Sequence, residues 1–153
     1  MIDLPEHFKA IPVLSTNVSF WQAAESMAEL KEIERIAMIR KGLPPETIQM
    51  TLVALNINQN MLCRALNLAI ATVKRRLKDG KPLDSMASER IVRLMQVALL
   101  ARVLFERDEY AAQWLSTPND ALGGEPPVSL CDTELGGRQV RRILHAIESG
   151  SAA

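Results

Sequence analysis

From Asp84 to Phe105 the chain runs without a proline or a glycine, and its apolar residues recur at helical spacing. Ile91, Leu94, Met95, Ala98, Leu99 and Leu104 fall on one face of a 3.6-residue period, and Asp84 or Ser85 stands where an N-cap is needed. A segment of this length and pattern has to be a helix, and a helix with one apolar face needs partners to cover it. Aromatics make up only 4% of the chain, so the core rests on Leu, Ile, Val, Met and Ala. Such side chains interlock between helices better than between stacked sheets, and an all-α fold follows.

The remaining segments agree. Ser19 can cap a first helix whose apolar positions (Trp21, Met27, Leu30, Ile33, Ile36, Ile39) continue to Gly42. Pro44 and Pro45 open a second helix, since proline is tolerated in a first turn. Asn58 or Asn60 begins a third, ending at Leu66, and a turn at residues 67–69 leads to a fourth over 70–78, stopped by Gly80 and Pro82. After the long helix come a short one over 108–115, a loop or series of turns rich in Pro, Gly and Asn over 116–127, and a last helix from Thr133 to Ser149. Residues 1–19 read as extended, with alternation suggestive of a strand only at 11–18, and the tail from Gly150 is expected to fray.

The 153 residues hold one ordinary domain or two small ones, and 48% hydrophobic with 24% charged residues is the composition of a folded, soluble protein. Cys63 and Cys131 are far apart and show no metal-ligand spacing, which points to reduced thiols in the cytoplasm and to no metal or cofactor. The start of the chain lacks a basic, apolar leader, and the longest apolar stretch, at 97–100, is fenced by Arg93 and Arg102, so no membrane segment is expected.

Eighteen basic residues balance eighteen acidic ones, but unevenly. Residues 1–34 carry six acids and two lysines, whereas 74–81 carry Lys74, Arg75, Arg76, Lys78 and Lys81 against Asp79 alone. A compact basic patch of this kind steers toward phosphate. Residues 62–77 thread a helix-turn-helix: Leu62, Leu66, Leu68, Val73 and Leu77 form the seam, Cys63 is the small residue at the crossing, and Asn67 takes the left-handed turn position. Thr72, Lys74, Arg75 and Lys78 would then face outward. A plain helical hairpin with a solvated basic face fits the same residues. The start of the second helix, Ala69-Ile70-Ala71, offers neither a cap nor a hydrogen-bonding side chain, so base readout from it would be thin.

Several ordered pieces carry a resemblance: residues 72–77 (TVKRRL), 80–83 (GKPL) and 88–94 (SERIVRL), then 111–115 (AAQWL), Pro118-Asn119, 121–124 (ALGG), Pro126-Pro127, 133–136 (TELG), and Val140, Leu144, Ile147 and Gly150. Over 72–150 the set resembles antitoxins of the Xre/MbcA/ParS family, which pair with RES-domain toxins. The resemblance implies an Xre-like helix-turn-helix DNA-binding and dimerisation domain at 1–105 and a small helical toxin-binding domain at 106–153. It also implies operator DNA, a cognate RES-domain toxin that consumes NAD, with an ADP-ribosylating toxin of the same broad kind as the second choice, and a second copy of the chain as partners. The function so implied is an antitoxin that covers the toxin's active-site cleft and represses its own operon.

By that resemblance the DNA contacts are Thr72, Lys74, Arg75, Arg76, Lys78 and Lys81. The toxin contacts are Trp114, Asn119, Leu122, Gly123, Gly124, Glu134, Arg138, Arg141 and Arg142. Trp114 also suits the core, and the last helix could simply dock by Val140, Ile143, Leu144 and Ile147 while its arginines face solvent. Gly136 and Gly137 lower helix propensity and would leave that helix adjustable. A fragment from about Leu99 onward would then retain toxin binding.

Two rivals remain. A Cys131–His145 pair could serve nucleophilic catalysis, but no third orienting group accompanies it, so the chain reads as a non-enzyme. A helix-turn-helix regulator without a toxin would not need the module at 111–136.

Overall fold

The structure is a computed structural model that describes residues 19–150. The expectations for residues 1–18, His7 among them, and for 151–153 lie outside the described residues. The helices are α1 (Phe20–Glu29), α2 (Glu32–Lys41), α3 (Glu46–Leu55), α4 (Gln59–Leu66), α5 (Ile70–Asp79), α6 (Ser85–Phe105), α7 (Asp108–Ser116), α8 (Pro127–Leu130) and α9 (Glu134–Glu148), with a 3₁₀ turn at Asp120–Leu122. The fold is all-α. Among the described residues the nearest thing to a strand is an isolated bridge between Asn119 and Glu125.

Helix α6 is the axle of the molecule, packed by α1, α2, α4, α7 and α9. Ile91, Leu94, Met95 and Ala98 are buried as their spacing demands, but so are Val92, Arg93, Val97 and Ala101, while Leu99 and Leu104 are only half-buried. The expectation of one apolar face is therefore corrected. Five surrounding helices clothe most of its circumference, and small residues at 98 and 101 let them come close.

Side-chain caps set several helix starts: Asp84 accepts from the Ala87 amide at 2.8 Å, Asn58 from Met61 at 2.8 Å and Thr133 from Gly136 at 3.0 Å. Ser19 and Gln22 form a reciprocal capping box at 3.1 and 3.0 Å. Each such cap is worth about 1 kcal/mol.

The first helix, expected to run on to Gly42, is in fact broken at Leu30 and Lys31. Leu30 takes an extended ψ of 147° and is 3% exposed. Burying a leucine is worth about 2 kcal/mol, more than the turn of helix it interrupts. The new helix restarts with the Lys31 amide donating to the Glu34 carboxylate at 2.8 Å. The segment at 116–127 holds turns, as expected, including the one at Asp120–Leu122, but the short helix α8 that starts at Pro127 was not expected.

Among the described residues one apolar cluster runs from Phe20 to Leu144 and includes Val73, Val128, Cys131 and Val140. Among the described residues no helix is long and apolar enough to cross a membrane.

Candidate functional site

The basic patch sits on a helix-turn-helix. Helix α4 ends at Asn67, which adopts φ 52° and ψ 45°, and the Leu68 amide donates back to the Cys63 carbonyl at 2.9 Å. Asn can enter this left-handed region at small cost, so it takes the glycine's place here. Leu62, Cys63, Leu66 and Val73 are buried in the seam and Leu68 is half-buried, but Leu77 is 37% exposed and does not belong to it. Leu77 falls in the last turn of α5, where its side chain meets solvent.

Lys74, Arg75, Lys78 and Lys81 are all exposed, and Thr72 is half-buried. Arg76 is half-buried and donates to the Pro82 carbonyl at 2.8 Å, so it braces the turn that leads into α6. Ala69 caps α5 with no side-chain bond, as its sequence forebodes. Beside that bare end lies an open groove of about 510 Å³ with Asn60, Arg64 and Asn67 along it. The α4 residues Asn60 and Arg64 were missed in the sequence, because only the fold brings them beside the start of α5.

Two arginines of α6 join this half to the other. Arg90 donates from Nε to the Asp132 carbonyl at 2.9 Å and from Nη1 to the Leu66 carbonyl at 3.4 Å. Arg93, buried, donates to the Cys131 carbonyl at 2.8 Å, to Glu89 at 2.8 Å and to Glu134 at 3.3 Å. Glu134 also accepts from Arg141 at 2.5 Å. Partial burial pushes the Glu134 carboxyl up, but the hydrogen bond and charge of Arg141, backed by Arg93, outweigh it and hold the group below its ordinary range.

The candidate toxin-binding residues spread around α7 to α9. Trp114 is half-buried against Phe105, ring centroids 5.8 Å apart. Asn119 organises the following loop: its Oδ1 accepts from Ala121 at 2.9 Å, and its carbonyl accepts from Leu122 at 2.9 Å and Gly124 at 3.0 Å. Gly123 and Gly124 have φ of 70° and 83°, a region that suits glycine, and both are exposed, while Leu122 leans on the core. On α9, Val140 and Leu144 dock inward, and Leu135, Arg138 and Arg142 are exposed. The three arginines are thus not equivalent, because Arg141 is half-buried in its pair with Glu134.

Gly136 and Gly137 serve close approach, which corrects their reading as a source of adjustability. A Cβ on Gly136 would collide with the Leu130 carbonyl oxygen, and one on Gly137 would lie 2.8 Å from Arg93 Cδ.

The Cys131–His145 pair does not form a reactive centre. Cys131 is fully buried, its thiol donates to the Pro127 carbonyl at 3.5 Å, and burial pushes its pKa up to about 12. His145 is exposed, with Glu148 3.6 Å away.

Comparison with known proteins agrees with this anatomy. Residues 34–96 match the antitoxin Xre-like helix-turn-helix domain, and residues 100–150 match the antitoxin Xre/MbcA/ParS C-terminal toxin-binding domain. A protein of Sphingobium sp. named Prs ADP-ribosylating antitoxin is 32% identical over 140 residues, covering 86% of this chain and 88% of its own. The chain belongs to the Xre/MbcA/ParS antitoxin family. Proteins named Antitoxin Xre are also similar: that of Photorhabdus laumondii is 30% identical over 74% of this chain and 78% of its own, and that of Pseudomonas putida 30% over 53% and 51%. Family membership gives this antitoxin a toxin partner and a DNA-binding domain, and the boundary between the two matched domains falls inside α6.

Proposed function

We propose that this antitoxin neutralises a toxin that uses NAD, by laying α9 over the toxin's active-site cleft, and that it represses its own operon through α5. The observation that carries the reading is the division of α9 into a docked stripe, Val140 and Leu144, and a free face of Leu135, Arg138 and Arg142. A cleft that holds a dinucleotide's phosphates and ribose hydroxyls presents anion-binding and acidic groups, and guanidinium groups suit the latter. Arg138 and Arg142 are the arginines placed to enter it, with Trp114, Asn119, Leu122, Gly123 and Gly124 shaping the neighbouring surface. The Arg141–Glu134 pair flanks that face and ties α9 to Arg93 of α6.

A RES-domain toxin that consumes NAD is the first reading of the partner. The Sphingobium relative's name favours a second, in which the partner ADP-ribosylates a target. Both need NAD, so the same measurement tests occlusion: the affinity of the antitoxin for catalytically inactive toxin, titrated against NAD. Affinity that falls as NAD rises supports it, and constant affinity rejects it. Reversing Arg138 and Arg142 to Glu should weaken neutralisation while leaving the helical signal intact.

On the DNA side, Lys74, Arg75, Lys78 and Lys81 reach phosphates, with Thr72 near the base edges and Arg64 and Asn60 supplementing the bare start of α5. Arg76 sets the patch's geometry more than its contacts. A homodimer would double these contacts over two half-sites. The toxin-binding domain argues against a stand-alone regulator.

A further inference from the structure

Helix α1 lies outside both matched family domains, which begin at residues 34 and 100. Its position nonetheless ties it to the second of them. We propose that α1 forms one wall of the toxin-binding site, and that the groove it makes with α6 and α9 receives an aliphatic or aromatic side chain of the cognate toxin. The proposal rests on the antitoxin reading above and deepens it.

The groove is open and encloses about 400 Å³. Leu99, Leu100 and Val103 of α6 form its floor, Ala28 of α1 stands on one side, and Glu134 and Arg141 of α9 stand on the other. Val103 is 73% exposed, and Leu135 on the adjoining face of α9 is 64% exposed. Leu100, Val103, Glu134 and Arg141 all fall within residues 100–150, so the groove is continuous with the domain by which this family binds toxins. An apolar floor of this kind, bordering a binding domain, is a place for a partner's apolar anchor.

Its chemistry narrows the occupant. The two charged groups on the rim neutralise each other through a 2.5 Å ion pair, so nothing there selects a charged insert. Gln96 at the edge offers an amide to the backbone that carries the inserted side chain. A phosphate backbone finds no cation to itself.

The α1 wall is fixed in place. Arg102 pairs with Glu25 of α1, lies 5.4 Å from the centroid of the Trp21 ring, and approaches Asp108 of α7 at 3.8 Å. Phe20 and Trp21 are themselves buried, edge to face at 5.4 Å. A wall anchored to both α6 and the start of α7 is pre-organised, which reduces the ordering cost of binding.

The test uses the full chain and its catalytically inactive cognate toxin, with wild-type binding measured first. Ala28→Arg fills the groove from the α1 side and Val103→Asp charges its floor. Both positions are exposed, so the fold should tolerate them, and circular dichroism and the melting temperature check that it does. Each variant should lose tenfold or more in toxin affinity, with Ala28→Ser within twofold of wild type and operator binding unchanged in all three. Toxin affinity within twofold of wild type in both Ala28→Arg and Val103→Asp overturns the proposal. So does loss of self-association by sedimentation with toxin affinity retained, which would make this face a contact between copies. A wild-type chain that binds no toxin would instead refute the antitoxin reading itself.

Discussion

Arg93 occupies a position that an apolar helix would ordinarily give to a leucine. It is 6% exposed, and its guanidinium reaches a carboxylate on its own helix and a carbonyl and a carboxylate around the turn from α8 to α9. Removing it would strand the buried Cys131 carbonyl and leave Glu89 and Glu134 without their shared partner. We expect Arg93→Ala to lose about 2–4 kcal/mol of stability, read from the urea midpoint, since charged hydrogen bonds and a newly orphaned acceptor both contribute.

Glu134 makes the same cluster sensitive to acid. Its folded-state pKa is held below the ordinary value of 4.5, so its contribution is complete above that value and disappears as pH falls through the lower folded one. The melting temperature should therefore decline on acidification from about pH 4.5 downward, and Glu134→Gln should flatten that decline. A Gln variant with the same acid limb would remove Glu134 from the account. None of this was legible in the sequence, where Arg93 reads only as an interruption of an apolar run. Its partners at 131 and 134 become neighbours through the fold, and no local spacing announces them.

At the scale of elements, helix ends were the most readable feature, because a cap is a local event: Ser19, Asn58, Asp84 and Thr133 each accept from an amide within three residues. The break at Leu30 was not readable, since no glycine or proline marks it and the burial of one leucine enforces it. The helix-turn-helix was legible in its turn and seam up to Val73, and illegible at Leu77, where the geometry of the crossing decides. For α5 the consequence is measurable. If Lys74, Arg75 and Lys78 each reach a phosphate, replacing all three with Ala flattens the slope of log affinity against log salt by about 2.7, at roughly 0.9 per contact. An unchanged slope in an anisotropy titration would take this helix off the DNA.

At the scale of the whole molecule, the two family domains share one core. α6 runs through both, α3 packs on α7, and α4 packs on α8. The division of labour implied by the resemblance, with a fragment from Leu99 onward keeping toxin binding, therefore meets a physical obstacle. Such a fragment loses Leu94, Met95 and Val97, together with Arg93, from beneath α7 to α9. We expect it to show little helical signal on its own, and the intact chain to unfold in a single transition, with fluorescence and circular dichroism coincident. Two separated transitions would restore independent domains.

The burial of the two thiols turns that question into a clock. Cys63 lies in the DNA-binding half and Cys131 in the toxin-binding half; both are buried, and burial raises the pKa of each. A thiol reagent can reach Cys131 only when its surroundings open, so its labelling rate reports that opening, whereas Cys63 lines the open groove beside α5 and needs less motion to react. Slower labelling of Cys131 is therefore the expected order. Faster labelling of Cys131, followed by mass spectrometry, would mean that the half that meets the toxin loosens first, and bound toxin should then slow Cys131 far more than Cys63.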